Sequence, residues 1–185
     1  MDFEQLKAEC ACCEKCALGR QKTNSVFERG SRSASLMLVG EAPGEQEDLT
    51  GRPFVGAAGK LLDKYLVAVG IDPEEVYICN ILKCRPPKNR DPLPEEQDAC
   101  MDHLRAQVRL LKPKMIVCLG RIAAMRLISP DFRITKDHGI FHKKGSFLIT
   151  AVYHPSALLR DAAKKEDMLR DMLAIAEEYK RINQK

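Results

Sequence analysis

The chain has 185 residues, of which 30% are charged and 45% are hydrophobic, and its net charge is +4. This is the composition of an ordinary globular protein, and the length suffices for one domain with a sizeable core. No stretch approaches the roughly 20 apolar residues of a membrane span, and the polar, acidic N-terminus is not a secretory signal. We therefore expect a cytoplasmic protein.

The first predicted helix, residues 1–9, runs into closely spaced cysteines. Cys10, Cys13 and Cys16 form two overlapping pairs, each with two residues between its members. This spacing lets two thiolates reach one metal centre from a tight turn. Eight cysteines in a cytoplasmic chain favour a metal or a cluster over disulfides. The polar, Arg-rich residues 17–35 predict an irregular arm over the domain.

The stretch from Gly40 to Gly59 is the part around which the rest is organised. An apolar run at 36–39 predicts the first strand, and an amphipathic run predicts a helix over about 57–69. The long loop between them carries acids, glycines and Phe54. Open α/β sheets bind ligands at loops that leave the carboxyl ends of buried strands. The loop lacks both glycine-rich phosphate-binding patterns, so a nucleotide cofactor is unsupported.

Three further strands alternate with helices along the rest of the chain. The strands are predicted over 76–82, 115–119 and 147–152, and the helices over 95–111, 121–127 and 164–181. Such alternation indicates parallel strands and a three-layer α/β sandwich. Three strand ends then face one crevice. They carry the loop with Phe54, residues 80–91 and residues 154–160.

Basic residues cluster near this crevice. Basic loops around an acidic pocket suit a polyanion whose backbone is held while one unit is worked on. One group lies in a Pro-rich loop, and a second flanks the last strand: Lys83, Arg85, Lys88 and Arg90, then Lys136, Lys143, Lys144, Arg160, Lys164 and Lys165.

A four-thiolate site is the main chemical prediction from the cysteines. Cys84, in the Pro-rich loop, and Cys100, on the following helix, can fold back onto an N-terminal pair. Zinc and an iron–sulfur cluster both accept four cysteines, and one tight pair with two distant single residues favours a cluster. The spacing does not exclude Cys10 as a ligand. Cys79 and Cys118 lie in apolar strands and are expected to be small core residues. Nucleophilic cysteine catalysis is a weaker alternative, because no catalytic signature surrounds any cysteine.

Several motifs together resemble the family 4 uracil-DNA glycosylases, iron–sulfur members of the uracil glycosylase superfamily. They are the sequences CEKCALGRQ, GEAPGEQED, GRPFVG, NILKCRPP and HPSA, together with Cys100. The resemblance extends from about residue 10 to 175. It implies a three-layer αβα sandwich with a central four-stranded parallel sheet, formed by residues 1–185 as a single domain. The N-terminal arm, about 1–35, would be tied down by a structural 4Fe-4S cluster.

The resemblance also implies roles for individual residues. Its cluster ligands fall on Cys13, Cys16, Cys84 and Cys100. Its uracil-binding positions fall on Gly40, Glu41, Ala42, Phe54, Asn80 and His154. Phe54 would stack on the base, the Asn80 amide would pair with the uracil edge, and His154 would stabilise charge near uracil O2. The apolar wedge and the backbone contacts would come from Pro155, Ser156, Leu158 or Leu159, Arg160 and Arg85.

The implied reaction is hydrolysis of the N-glycosidic bond of uracil in single- or double-stranded DNA by a monomeric, monofunctional enzyme of base excision repair. Positive charge develops on the sugar and negative charge on the leaving base, so a donor at O2 lowers the barrier. The best-known branch of the superfamily has a water-activating Asp where this chain has Ala42. The remaining carboxylates are Glu41, expected to position groups within the pocket, and Glu47, expected to act on water or the sugar cation.

Two other functions stay open. An iron–sulfur protein could recognise DNA or a replication partner without hydrolysis, which Ala42 favours weakly. A zinc-stabilised α/β domain could instead act on a small nucleotide.

Overall fold

A computed structural model describes residues 1–184 and contains one six-stranded sheet in the order β1-β3-β2-β4-β6-β5. The strands are β1 (Arg29–Gly30), β2 (Leu36–Gly40), β3 (Tyr77–Asn80), β4 (Met115–Leu119), β5 (His142–Lys144) and β6 (Phe147–Val152). The central strands β3, β2, β4 and β6 are parallel, whereas β1 and β5 add antiparallel edges. The predicted parallel sheet therefore describes the centre of a mixed sheet.

The helices follow the predicted alternation. They are α1 (Phe3–Ala11), α2 (Ala17–Gln21), α3 (Glu45–Thr50), α4 (Ala57–Ala68), α5 (Pro94–Leu111), α6 (Arg121–Leu127), α7 (Ile134–Asp137), α8 (Pro155–Arg160) and α9 (Lys165–Asn183), with 3-10 turns at Pro87–Asn89 and Ala162–Lys164. No helix among residues 1–184 combines the length and apolar character that crossing a membrane requires.

Two short helices lie where the sequence predicts irregular chain. Helix α2 falls in the predicted arm, and α3 falls in the predicted loop 40–59. The acidic first turn of α3 complements the positive end of the helix, and Gly51, at φ 71°, ends it. Helices of five or six residues are too short to show a 3.6-residue period, which explains why the sequence pattern misses them.

The core lies on both faces of the sheet, because alternate strand residues point to opposite sides. Met37 and Val39 face one side and pack with helices α5 and α6. Leu36 and Leu38 face the other side and pack with α4 and α9. This gives the predicted three layers. Cys79 and Cys118 are fully buried in the first of these cores, as predicted.

The edge strands were not predicted, and their sequences explain why. Strand β1 has two residues, and the three residues of β5 are exposed and polar. Neither presents the apolar alternation by which a half-buried strand is recognised. Short, charged edge strands also discourage pairing with other chains.

The N-terminal arm is fastened to the domain at several points. The Val26 N–H donates to the Lys83 carbonyl at 2.8 Å, and Gln107 Nε2 donates to the Phe27 carbonyl at 3.0 Å. Leu6, Cys10, Phe27 and Ala106 form a small core of their own between the arm and α5. The arm is thus held against the segment that runs from β3 through α5.

Candidate functional site

A cleft of about 620 Å³ lies at the carboxyl ends of the parallel strands. Its lining includes Glu41 after β2, Asn80 at the end of β3 and His154 after β6. The three predicted strand ends therefore meet in one place. The fourth parallel strand contributes Gly120 and Arg121. This size is typical of small-molecule pockets, and its position is the one that open α/β sheets use.

Phe54 forms an aromatic wall of the cleft, close to Gly40. It has a left-handed backbone, with φ 55°, which is uncommon for a residue other than glycine. A Cβ added to Gly40 would lie 2.6 Å from Phe54 Cζ and 2.3 Å from Asn80 Oδ1. The ring of His154 lies 5.7 Å from the Phe54 ring, centroid to centroid. Gly40 thus lets Phe54 and Asn80 approach the same strand end.

Glu47 fastens the loop that carries Phe54. Its Oε1 accepts the N–H groups of Val55 at 3.1 Å and Gly56 at 3.0 Å. From the other side, Arg29 Nη1 donates to the Phe54 carbonyl at 3.1 Å and pairs with Asp63. The strained residue is therefore held by carboxylate and guanidinium groups on both sides, which fixes the ring before a ligand arrives.

Asn80 is 2% exposed, and its Oδ1 has no hydrogen-bond partner among the described residues. Backbone hydrogen bonds fix its surroundings, since the Ile81 N–H donates to the Gly40 carbonyl at 2.9 Å. A buried polar atom without a partner is costly and rare in native proteins. The arrangement suits a ligand that offers an N–H to this oxygen.

His154 is held as a neutral imidazole. Burial, together with Arg160, lowers its pKa to about 4, and Glu47 acts in the opposite direction. Its Nδ1 accepts the Ser156 N–H at 3.1 Å, with the Ser156 hydroxyl at 2.7 Å. Because Nδ1 is the acceptor, the proton of the neutral ring is on Nε2. The ring is packed closely against Gly120, where an added Cβ would lie 2.8 Å from His154 Cβ.

Glu41 is a carboxyl group of the cleft whose pKa is strongly raised. Burial, and to a smaller extent Asp91, raise its pKa to about 7 against the opposing effect of Arg121. Arg121 Nη2 lies 2.9 Å from Asp91 Oδ2. Next to Glu41, Ala42 packs against the core and offers no polar group to the cleft.

The predicted wedge segment is helix α8 and the residue before it. Pro155 and Leu158 are buried, and Leu158 is 1% exposed within the core shared with α4. Leu159 is 54% exposed, and Arg160 is exposed beside it. Of the two predicted leucines, only Leu159 can reach a partner without leaving the core.

Arg85 lies in the Pro-rich loop that follows β3 and is half-buried. Its Nε donates to Asn89 Oδ1 at 2.8 Å, and its Nη2 lies 4.0 Å from Glu45. Most of the basic residues predicted near the crevice are exposed. Arg90 and Lys164 are also half-buried, and Lys83 is fully buried at 1% exposed.

A second, small cavity is lined by five cysteines, which are Cys10, Cys13, Cys16, Cys84 and Cys100. All eight cysteines of the chain are free thiols. Burial raises the pKa of Cys84 to about 12 and that of Cys100 to about 11, while Lys83 acts in the opposite direction on Cys100. The Lys83 N–H donates to Cys100 Sγ at 3.4 Å.

The cysteines of this cavity are ligands of the kind that both zinc and iron–sulfur clusters accept. Residues 1–184 contain no group of three His, Cys, Asp or Glu side chains that could hold one metal ion. A cluster keeps its four thiolates farther apart than one zinc ion does. Thiols that are buried and neutral would be converted to thiolates by the positive charge of bound iron. Cys10 lines the same cavity, but its Sγ lies 3.1 Å from Ser25 Oγ.

Sequence reasoning missed the role of Gly120, the contact between Asp91 and Arg121, and the burial of Lys83. Gly120 could have been found, because it follows a buried strand directly, as Gly40 ends another. Asp91 and Arg121 pair across loops that are distant in sequence, and no local pattern signals that contact. The burial of Lys83 also has no sequence signal, since lysines in Pro-rich loops are usually exposed.

The chain is similar in sequence to several known proteins. A sequence profile of the uracil DNA glycosylase superfamily matches residues 27–176. A type-4 uracil-DNA glycosylase of Archaeoglobus fulgidus is 42% identical over 183 residues, which cover 95% of this chain and 92% of that protein. The type-4 enzyme of Sulfurisphaera tokodaii is 40% identical, covering 95% and 84% of the two chains. That of Thermotoga maritima is 44% identical, covering 83% and 81%.

Proposed function

We propose, on the premise that the chain belongs to the uracil DNA glycosylase superfamily, that its cleft receives a uracil flipped out of DNA. The protein is a uracil-DNA glycosylase, a hydrolase of N-glycosyl bonds that acts in base excision repair. A base inside a duplex cannot reach such a pocket, so the nucleotide must leave the stack. The product is an abasic site.

The unpartnered Asn80 Oδ1 is the single observation that carries the assignment of the pocket. Uracil offers the N3–H as a donor and O4 as an acceptor on one edge. The Asn80 amide matches both, with Oδ1 accepting and Nδ2 donating. Phe54 provides the face on which the base stacks, beside Gly40, Glu41 and Ala42. A buried acceptor that stays unpaired without the ligand also rejects bases that lack the matching donor.

His154 stabilises the leaving uracil as an anion. The Nε2–H of its neutral ring is the donor that we assign to uracil O2. Negative charge grows on O2 as the glycosidic bond breaks, so this hydrogen bond is stronger in the transition state than in the bound substrate. The hydrogen bonds from Ser156 to Nδ1 fix the tautomer that the role requires.

Two carboxyl groups are available for the sugar side of the reaction. Glu47 uses Oε1 for the loop, while its Oε2 accepts no hydrogen bond from the described residues and is our candidate for water or the sugar cation. Glu41, whose pKa is near 7, positions groups within the pocket. Together, Glu47 and Glu41 would do the work of the water-activating aspartate, whose position is occupied by Ala42 in this chain.

The DNA contacts follow from exposure. Leu159 is the wedge that fills the stack after the base has left, and Leu158 supports it from the core. We assign the contacts with the DNA backbone to Ser156, Arg160 and Arg85, while Pro155, which is buried, fixes the start of α8. The cleft is built from one chain, so a monomer suffices for single- or double-stranded substrates.

We further propose that Cys13, Cys16, Cys84 and Cys100 hold a 4Fe-4S cluster. When bound, the cluster supplies a structural cross-link between the arm, about residues 1–35, and the β3–α5 segment, which makes residues 1–185 one domain. The five-cysteine cavity supports this proposal, and the bond of Cys10 to Ser25 supports its exclusion from the ligand set. Free thiols throughout suit a reducing compartment such as the cytoplasm.

The direct test is uracil release from an oligonucleotide with one central uracil, followed by alkali to cleave abasic sites. Wild type is expected to release uracil, and Asn80→Ala and His154→Ala are each expected to lower kcat/KM by about 10²–10³-fold. His142→Ala removes an exposed histidine and serves as the control. Iron-loaded wild-type protein that binds DNA without releasing uracil would instead support the non-hydrolytic binding protein.

A further inference from the structure

Lys83 is a buried cation outside the catalytic machinery assigned above. Its side chain follows β3 and is 1% exposed. It is the only lysine among the buried residues of the described chain. Transfer of an ammonium group out of water is costly unless an anion accompanies it. The ion pairs formed by residues 1–184 do not include Lys83. Its compensating charge must therefore come from something other than a carboxylate.

The groups near Lys83 are thiols, the His103 imidazole and one carbonyl. Its Nζ donates to the Asn80 carbonyl at 2.5 Å, and burial raises the pKa of the Cys79 thiol while the charge of Lys83 opposes that rise. Lys83 lines the small cavity together with Cys84 and Cys100. Four thiolates around a 4Fe-4S core give a group with net negative charge. Such a group in this cavity would supply the anion that the protein part lacks.

The backbone of Lys83 contacts both a proposed cluster ligand and the N-terminal arm. Its N–H donates to Cys100 Sγ at 3.4 Å, and its carbonyl accepts the Val26 N–H of the arm at 2.8 Å. Its ammonium meanwhile holds the carbonyl of Asn80. One residue therefore connects a cluster ligand, the N-terminal arm and the strand end that recognises uracil.

We propose that Lys83 is the internal counter-cation of the iron–sulfur cluster and the positioning residue that couples the cluster to Asn80. The proposal rests on the cluster proposed above. On this proposal a cluster outside the cleft would influence excision, because loss of its charge would leave Lys83 uncompensated beside the Asn80 carbonyl. The role is one of position and charge, and it requires no change of iron oxidation state.

The other cations at the cavity differ from Lys83. Lys15 has a side chain that is 54% exposed and lies 4.0 Å from Asp102, so water and a carboxylate compensate it. Lys22 lies beside the cavity rather than in its lining, is half-buried, and donates to the carbonyls of Cys13 at 3.0 Å and Gly19 at 2.9 Å. Lys15 is therefore a matched control, with the same charge at the same cavity but in contact with solvent.

The test compares Lys83→Met with Lys15→Met in cluster-loaded protein. Methionine keeps the length of the lysine stem and removes its charge. The readouts are iron per chain, the rate of visible bleaching in a chelator, the midpoint potential and the kinetics of uracil release. We expect Lys83→Met to lose its cluster roughly tenfold faster, to shift the midpoint to lower potential and to lower kcat more than it changes KM. Lys15→Met should match wild type in all four.

The outcomes separate the proposals. If Lys83→Met bleaches at the wild-type rate and has the wild-type midpoint potential, the proposal that Lys83 is the counter-cation is overturned, even if activity falls. If Lys83→Met yields no cluster-bearing protein, Lys83→Arg decides. Recovery of iron by the retained charge supports the proposal, and failure to recover it overturns the proposal. If the wild-type protein binds no iron on reconstitution, the cluster proposal is wrong and the role of Lys83 falls with it. The glycosylase assignment is unaffected by that outcome.

Discussion

The uracil cleft and the cysteine cavity are built on opposite principles. The cleft, about 620 Å³, is assembled at the ends of four parallel strands, so the sheet places its residues before any ligand is bound. The cysteine cavity, about 10 Å³, is lined by the arm, the Pro-rich loop and α5, which are separate along the chain. Topology preorganises the first site, whereas the second depends on what it binds. Mutations should therefore affect the two sites independently, except at Lys83.

The largest expected effect comes from Gly40→Ala. The added Cβ would lie 2.3 Å from Asn80 Oδ1 and 2.6 Å from the Phe54 ring, so both recognition groups must move. A misplacement of about 1 Å costs on the order of 100-fold in rate, and we expect at least that loss in kcat/KM. Iron content should remain at the wild-type level, since the cysteine cavity is separate.

Gly56→Ala is the matched control for this change. Gly56 lines the same cleft, but its added Cβ would meet only the Glu47 carboxylate at 3.4 Å. It should retain activity close to that of wild type. Equal losses in the two alanine variants would mean that the cleft tolerates no added methyl group, and the special role of Gly40 would be abandoned.

The two leucines of α8 should separate the role of the cleft rim from that of the core. Leu159→Ala should reduce excision from double-stranded DNA by about tenfold and from single strands less, because only a duplex requires unstacking. Its Tm should stay unchanged, as the side chain is 54% exposed. Leu158→Ala should instead cost about 2–5 kcal/mol of stability. Thermal melts of both variants, together with excision assays on single- and double-stranded DNA, would show whether the two leucines differ in this way.

The smallest effect concerns pH and Glu41. Its folded pKa, about 7, is above the ordinary value of 4.5, so the folded state holds the proton more tightly than the unfolded state. Stability from this group is therefore fully present below about pH 4.5 and is lost as pH rises through about 7. Glu41→Gln should remove this decline between pH 5 and 8. If the Tm of wild type and that of Glu41→Gln change with pH in the same way over that range, the result would count against the raised pKa of Glu41.

Much of the architecture could be predicted from the sequence. Apolar runs mark β2, β4 and β6, and alternation with helices gives the layers and the shared crevice. Asn80 and His154 could be placed because Asn80 lies at the end of one strand and His154 follows another. The edge strands and α3 could not be predicted, since they are too short or too polar to carry a period.

Details within the site were beyond sequence reasoning for a different reason. Leu158 and Leu159 are neighbours of the same type, and only the orientation of α8 decides which one is buried. Glu47 Oε1 is occupied by Val55 and Gly56, which depends on how α3 is oriented against the following loop. Lys83 is buried because the arm and α5 cover it. Each of these facts depends on tertiary contacts that local pattern does not contain.

The fastening of the arm to the β3–α5 segment has a consequence for biosynthesis. Val26 and Phe27 bond to Lys83 and Gln107, and the cysteines near the N-terminus face Cys84 and Cys100. Every one of these partners is translated after the arm. The ribosome therefore releases Cys13 and Cys16 before Cys84 and Cys100 exist, and the proposed cluster could assemble only after α5 has emerged. During that interval the early cysteines depend on the reducing state of the cell for protection from oxidation.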